Sequence, residues 1–475
     1  MTATSFFQNP GTQITLKLAL IFFLVLFLLI PKFMILDLIE ERQKLSESVI
    51  NEVSAGWGAE QIHTGPALII PYYHIVANVD KTKPTVKTKT NLIVMPENLK
   101  VDGTVTTASK YRSLYKVLLY KAGMKINGSF KIPDSQLTNI KQEDLLLDEV
   151  YIIMGVRDPK GINNKIDMQW NNQNLTLHPG MENISFNISP QISSSHTFDF
   201  AQNDAPYLSS FKTGLHAKMP IDLNVSEYVF SYQLDIKGSK GLLFAPLGKS
   251  TEVHLKSTFT DPVFAGGFLP EHTTDASGFD ARWKVLEYNK SLPSFQKDND
   301  IIDLGDNVFG VKIRHLIDNY TKSYRAGKYM ILFIILTFLV VFLTEIVEKI
   351  SIHIFQYTLI GFALAIFFTL LLSISEFYGF DTAYFVAAIA TIGLIFLYSL
   401  GMFRHRKSSV LLLALLTTLF GYIYLIIQLE KTALLAGSLG LFVIIALTMY
   451  GTRKIKWFEE DASNKTFIEE KNQIN

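Results

Sequence analysis

The sequence predicts a membrane protein of mixed α and β structure, in which six transmembrane helices, one N-terminal and five C-terminal, flank a large β-rich extracytoplasmic domain that is sandwich-like. Three observations predict it. Hydrophobic residues make up 48% of the chain, and the longest apolar runs lie at its two ends. One such run precedes a polar middle region and five follow it. In the middle, short alternating runs are separated by turn residues about every ten positions, the pattern of antiparallel β-structure.

A spanning helix needs roughly 20 mostly apolar residues to cross the hydrocarbon core. The stretches that qualify are 14–36, 329–347, 354–374, 381–402, 409–428 and 432–450. The first reads as an uncleaved anchor, because Pro31-Lys32-Phe33-Met34 offers no small-residue cleavage site. Lys and Arg collect in two places, Arg404 to Lys407 and Arg453, Lys454 and Lys456. Six alternating spans put both clusters on one side, which the positive-inside rule makes cytoplasmic. The tails 1–13 and 451–475 are then cytoplasmic, and residues 37–328 lie outside. Lys32, Arg42, Lys44, Lys322, Arg325 and Lys328 flank the membrane on the outer side in this arrangement, a departure that long translocated domains tolerate.

The connector 40–57 reads as a helix, because Leu45, Val49, Val53 and Trp57 recur every fourth residue along one face. Gly56 and Gly58 end it. After Gly65-Pro66, the run Ala67 to Ile70, closed by Pro71, reads as a strand. Further on, Pro96-Glu97-Asn98, Asp102-Gly103, Asn127-Gly128 and Lys237-Gly238-Ser239 read as turns between strands. A β-sandwich of one or two stacked units follows. No fixed-length repeat argues for a propeller or solenoid.

The landmarks "SVINEVSAGWGAEQIHTGPALIIPY", "GVRDPKGI", "GSKGLLFAPLGKSTEVHLKS", "GGFLPEHTTDASGFDARWKVLEYNKSLP" and "LEKTALLAGSLGLFVIIALTMYGTRKIKW" occur in this order. Together they resemble the CreD-like inner-membrane proteins, also called cell-envelope integrity proteins, nearly end to end. The chain departs from that pattern at Phe259, where the family has Trp, and at Lys290, where it has Arg. The resemblance implies a bacterial inner-membrane location and a setting in envelope stress, including the response to β-lactams and tolerance to some colicins, under a two-component regulator. It implies no molecular activity.

Composition narrows the chemistry. A formal net charge of +1 gives no broad field for nucleic acid. With no cysteine, disulfides, thiolate nucleophiles and iron–sulfur ligands are excluded together. The ten histidines include no H-E-x-x-H. Walker loops, dinucleotide fingerprints and nucleophile elbows are also missing. The loop with Glu271, His272, Asp275 and Asp280, and the acidic turn with Asp298, Asp300, Asp303 and Asp306, read as solvated surface, since their spacing misses known metal patterns. No catalytic, cofactor or metal residue is assigned.

Ionisable residues near the bilayer are costly unless solvated or paired. Glu345, Glu376, Glu430 and Lys431 all fall at predicted helix ends, as does Asp381, which reads as a cap of its helix. Glu376 and Asp381 are the candidate functional residues. Leu45, Val49, Val53 and Trp57 are candidates for coupling the β-domain to the first span. Small residues, Ala387, Ala388, Ala390 and Gly393 in one helix and Ala433, Ala436, Gly437 and Gly440 in another, suggest close helix packing. The first reading is a non-enzymatic envelope-maintenance protein whose partners are the lipid bilayer and an envelope protein or polymer. A transporter or channel using Glu376 and Asp381, and an envelope lipid or cell-wall enzyme without a recognisable motif, stay open. Oligomeric state is not legible.

Overall fold

The computed structural model describes residues 10–76, 86–188, 210–313, 318–429 and 432–453. The chain divides into a helical unit, Met1–Leu45 with Leu316–Asn475, and a β-unit, Ser46–His315. Glu430, Lys431, Lys454 and Lys456 lie outside the described residues.

The helical unit begins with α1 (Pro10–Phe27), followed after Leu28 by α2 (Leu29–Trp57). Pro31 explains the break: it has no N–H for the carbonyl of Phe27, and its ring crowds that turn. Beyond it, the predicted span and the predicted connector are one uninterrupted helix. The chain returns through α3 (Asp318–Lys328) and α4 (Met330–Glu348). The region assigned to the outer domain therefore ends before 328. Tyr320, Ser323 and Ala326 are buried, and Gly327 comes so near α2 that a β-carbon there would lie 2.8 Å from the Leu36 side chain, so α3 belongs with the helices.

α5 (Ile354–Tyr378), α6 (Phe380–Met402), α7 (Arg406–Gln428) and α8 (Ala433–Thr452) complete the unit. Among the described residues, five helical runs are long and apolar enough to cross a membrane: the run from Thr15 through α2, and α4 to α7. The sixth predicted span forms α8, whose described apolar stretch, Leu435–Ala446, is shorter. The helices meet on aromatic rings. Phe333 and Phe367 lie 4.5 and 4.9 Å from Phe420, centroid to centroid, and the Tyr384 hydroxyl donates to the Phe420 carbonyl at 2.7 Å. The small residues act as expected at two sites: Ala387 and Ala388 are buried, and Gly440 leaves room for the Tyr422 ring.

Among the described residues, the β-unit forms a nine-stranded, an eight-stranded and a small three-stranded sheet. Its main strands are β1 (Gln61–Val76), β2 (Val86–Val94), β3 (Asn98–Arg112), β4 (Tyr115–Phe130) and β5 (Tyr151–Val156), then β6 (Tyr228–Ser239), β7 (Gly241–Ala245), β8 (Ser250–Ser257) and β9 (Gly278–Leu286). In the nine-stranded sheet β1 is central, antiparallel to β2 and β5 and parallel to β7. The other sheet runs β9-β8-β3-β4-β6 at its centre, with β8 and β3 parallel.

Burial explains the two sequence textures. Leu68 and Ile70 of β1 join the core shared with Val101, Ile126 and Leu255 of the eight-stranded sheet. Ala67 and Ile69, on the opposite face, join a second core with Ile184, Phe186 and Ile302. A strand covered on both faces reads as a continuous apolar run, and β1 and β5 do. β3 and β4 alternate because one face is wet.

Four local expectations are corrected. Pro71 does not close β1; the strand continues, with Pro71 opposite Asn91. Asn127-Gly128 is no hairpin turn but sits in mid-strand, Gly128 opposite both Leu99 and Phe230. Glycine is needed there for closeness, since a β-carbon would fall 2.3 Å from the Asn98 carbonyl and 2.5 Å from the Phe230 ring. Asp102-Gly103 is likewise inside β3. Lys237-Gly238-Ser239 lies inside β6, and the chain turns at Lys240, whose φ is +63°. The β3–β4 turn itself was not foreseen; it falls at Ser113, with φ +54°. Pro96-Glu97 does separate β2 from β3, as predicted.

Of the two departures from the family pattern, Phe259 packs partly buried against the first core. The Lys290 ammonium donates to the carbonyls of Pro246, Leu247 and Gly248 at 2.6, 3.0 and 2.7 Å, while burial pulls its pKa down to about 8.

Candidate functional site

Glu376 and Asp381 flank the α5–α6 junction, and each is held by different donors. The Tyr320 hydroxyl donates to Glu376 at 3.2 Å. Asp381 accepts from the Tyr424 hydroxyl at 3.1 Å and from the Gln428 amide at 2.6 Å. Asp381 is not the helix cap: Gly379 occupies the N-cap position of α6. Asn319 of α3 does the capping instead, accepting from Phe380 N at 3.1 Å and donating to the Ser375 carbonyl at 3.3 Å. One side chain thus ties the end of α5 to the start of α6.

Glu345 is not the solvated helix-end residue that its position suggested. It is 8% exposed, and its carboxylate accepts from Lys17 Nζ of α1, from the Tyr357 hydroxyl at 2.8 Å and from Ile352 N at 3.1 Å. Lys17 also donates to the Ile352 carbonyl at 2.7 Å. Three helices converge on this carboxylate, which Lys17, Tyr357 and the Ile352 backbone N–H all serve. Sequence reasoning missed Lys17, although a lone cation inside an apolar run is a signal that a partner is needed.

In the β-unit, α2 lies against the wet face of β4. Ile50 is buried with Val117 and Leu119, and Val53 and Trp57 pack partly buried around them. The Trp57 indole N–H donates to the Tyr120 carbonyl at 3.4 Å, and the ammonium groups of Lys110 and Lys237 lie over its ring, at 4.1 and 5.1 Å from the centroid. Arg112 pairs with Glu52 at 2.6 Å. The buried stripe is therefore Ser46, Ile50 and Ser54 with Val53 and Trp57 at its edge, while Leu45 is 49% exposed and Val49 is half-buried. The packed face is rotated from the predicted one by about one residue. Small Ser46 and Ser54 sit on the buried side, and β-strand apolar residues select Ile50. Ile50→Ala is expected to cost about 2–4 kcal/mol and Leu45→Ala less than about 0.5 kcal/mol, read from thermal unfolding of the full chain in nanodiscs.

The outer face of the eight-stranded sheet carries a polar groove of about 460 Å³, lined by Asp102, Thr104, Lys125, Gln233, His254 and Lys256 around Gly103 and Gly123. Without a side chain at Gly123, the sheet has a notch between longer neighbours. His254 reaches Asp280 through Nε2 at 2.9 Å and Asp102 through Nδ1 at 3.4 Å, and Lys256 lies 3.2 Å from the second Asp280 oxygen. Partial burial pushes the Asp280 carboxyl up, but hydrogen bonds from Lys256 and His254 hold it below its usual range. The hydrogen bond of His254 goes to Asp280, with Asp102 near its other ring nitrogen, and Thr104 is the only hydroxyl among the lining residues. Asp275 accepts from Ser277 N and Oγ at 2.7 and 2.6 Å and so shapes a turn. Asp298 and Asp300 bond separately, to the Tyr72 hydroxyl and the Asn91 amide.

Residues 13–458 match the family described as "Inner membrane protein CreD". The Inner membrane protein CreD of Escherichia coli (strain K12) is 27% identical over 447 residues, which cover 93% of this chain and 93% of that protein. With its spanning helices and its inserted β-unit, the chain belongs to the CreD family of multi-pass inner-membrane proteins.

Proposed function

We propose that the protein maintains envelope integrity without catalysis, by holding a periplasmic β-unit that captures an envelope polymer or protein. The groove at Gly123 carries this reading. It offers donors and acceptors of both signs on a rigid sheet, a surface suited to a hydroxyl- and amide-rich partner. Thr104 is the one hydroxyl among its lining residues, and His254 hydrogen-bonds to Asp280 and not to that hydroxyl. A transport role has less support, since Glu376 and Asp381 are bonded to separate donors.

The periplasmic placement rests on charge. Lys349, Arg404, Arg406, Lys407 and Arg453 lie at the end of the helical unit opposite Glu376 and Asp381 in the alternation of helices, and basic ends stay cytoplasmic.

Gly123→Tyr fills the notch, where the nearest atom to a new β-carbon is an Asp235 side-chain oxygen at 3.3 Å. In quantitative crosslinking and co-purification from native membranes, the reading expects an envelope component that the unmodified protein captures and Gly123→Tyr loses, with unfolding temperature unchanged. Equal capture by both proteins would remove the groove from the account.

A further inference from the structure

A second groove, of about 550 Å³, runs between α2 and α5 within the helical unit. Its walls are apolar, with Met34, Ile35, Phe362 and Ile366 among them, and Asp37 and Glu41 line it as well. Asp37 and Glu41 are spaced i,i+4, so they lie on one face of α2 and repel each other. Both are exposed, and neither has a side-chain partner among the described residues, whereas the adjacent Glu40 is paired with Lys44 at 3.3 Å.

Depth identifies what meets them. Twenty positions separate Lys17 from Asp37, at most about 30 Å along α1 and α2, comparable with the thickness of the hydrocarbon core. With Lys17 near one edge, Asp37 and Glu41 stand at the headgroup level of the other. The hydrocarbon-facing part of the groove accepts an acyl chain, and the two carboxylates at its polar end complement a cation attached to that chain.

We infer that this groove is a binding site for an amine-bearing phospholipid, phosphatidylethanolamine, with its ammonium between Asp37 and Glu41 and one acyl chain against Met34, Ile35, Phe362 and Ile366. Anionic phosphatidylglycerol is repelled by the same pair. The site belongs to the leaflet on the Asp37 side.

The test is native mass spectrometry of the full chain exchanged into equal amounts of phosphatidylethanolamine and phosphatidylglycerol. The expected result is retention of phosphatidylethanolamine by about tenfold over phosphatidylglycerol, the ratio that one additional charge-assisted contact gives. Asp37→Asn with Glu41→Gln should bring the ratio near one, and Ile366→Trp, at a lipid-facing position, should reduce retention of both lipids. No preference in the unmodified protein, or a preference that survives the double amide substitution, would overturn the assignment. Undiminished retention in Ile366→Trp would overturn the acyl-chain placement.

Discussion

Lys17→Met is expected to destabilise the helical unit by roughly 3–5 kcal/mol, because it leaves the Glu345 carboxylate buried without its counter-charge. The exposures are low enough for this magnitude: 22% for the Lys17 side chain and 9% for that of Glu345. Glu345→Leu should cost a similar amount by stranding the ammonium. The double variant Lys17→Met with Glu345→Leu removes both charges and should recover most of the loss, to within about 1–2 kcal/mol of the unmodified protein, since an apolar pair of similar volume often replaces a buried ion pair at little cost. Tyr357→Phe removes one donor to the carboxylate and should cost about 1–2 kcal/mol. Thermal unfolding in one lipid and one detergent, with the four proteins side by side, reads the cycle. Additive single losses in the double variant would mean that the two side chains do not interact.

The second large effect is acid sensitivity of the β-unit. His63 on β1 is 1% exposed, its Nε2 lies 3.1 Å from the Tyr232 hydroxyl, and its Nδ1 has no hydrogen-bond partner among the described residues. Burial lowers the His63 pKa to about 4, from about 6.5 in the unfolded chain. The same burial pushes the Tyr232 hydroxyl well up, so it stays protonated. Between those two pH values the unfolded state binds the proton and the folded state does not. Stability is therefore complete above about pH 6.5 and falls as pH drops toward 4, by about 3 kcal/mol in all. His63→Gln, which cannot titrate, should start from a lower stability and lose less across that window. Unfolding temperatures at pH 7.5 and 4.5 compare the two, and parallel pH profiles would contradict a role for His63.

What the sequence revealed, and what it hid, follows from the range of each interaction. Apolar runs that a bilayer must cover are local, so α4 to α7 were legible within a few residues. The doubly buried run Ala67 to Ile70 of β1 was legible as a strand for the same reason. Gly128 was misread because two causes leave the same letter. Asn-Gly favours a tight turn by its dihedral freedom, but here glycine is required by the Asn98 carbonyl and the Phe230 ring, and nothing local distinguishes them. The packed face of α2 was missed by one position, since Leu45 and Val49 are as hydrophobic as Ile50 and only the location of Val117 and Leu119 on β4 decides among them. Lys17 and Glu345 are 328 positions apart. No periodicity links them, although each alone was an anomaly near an apolar run.

The account stands on the side of the membrane to which each unit is assigned. Because the chain has no cysteine, single substitutions report on that directly. Lys249→Cys, beside β8 in the β-unit, and Lys407→Cys, at the start of α7, would be exposed to a membrane-impermeant maleimide in cells whose outer membrane alone is permeabilised. The account predicts rapid labelling at 249 and labelling at 407 only after the inner membrane is opened. Labelling at 407 in the intact inner membrane, with 249 protected, would place the β-unit in the cytoplasm and contradict the proposed function at its base.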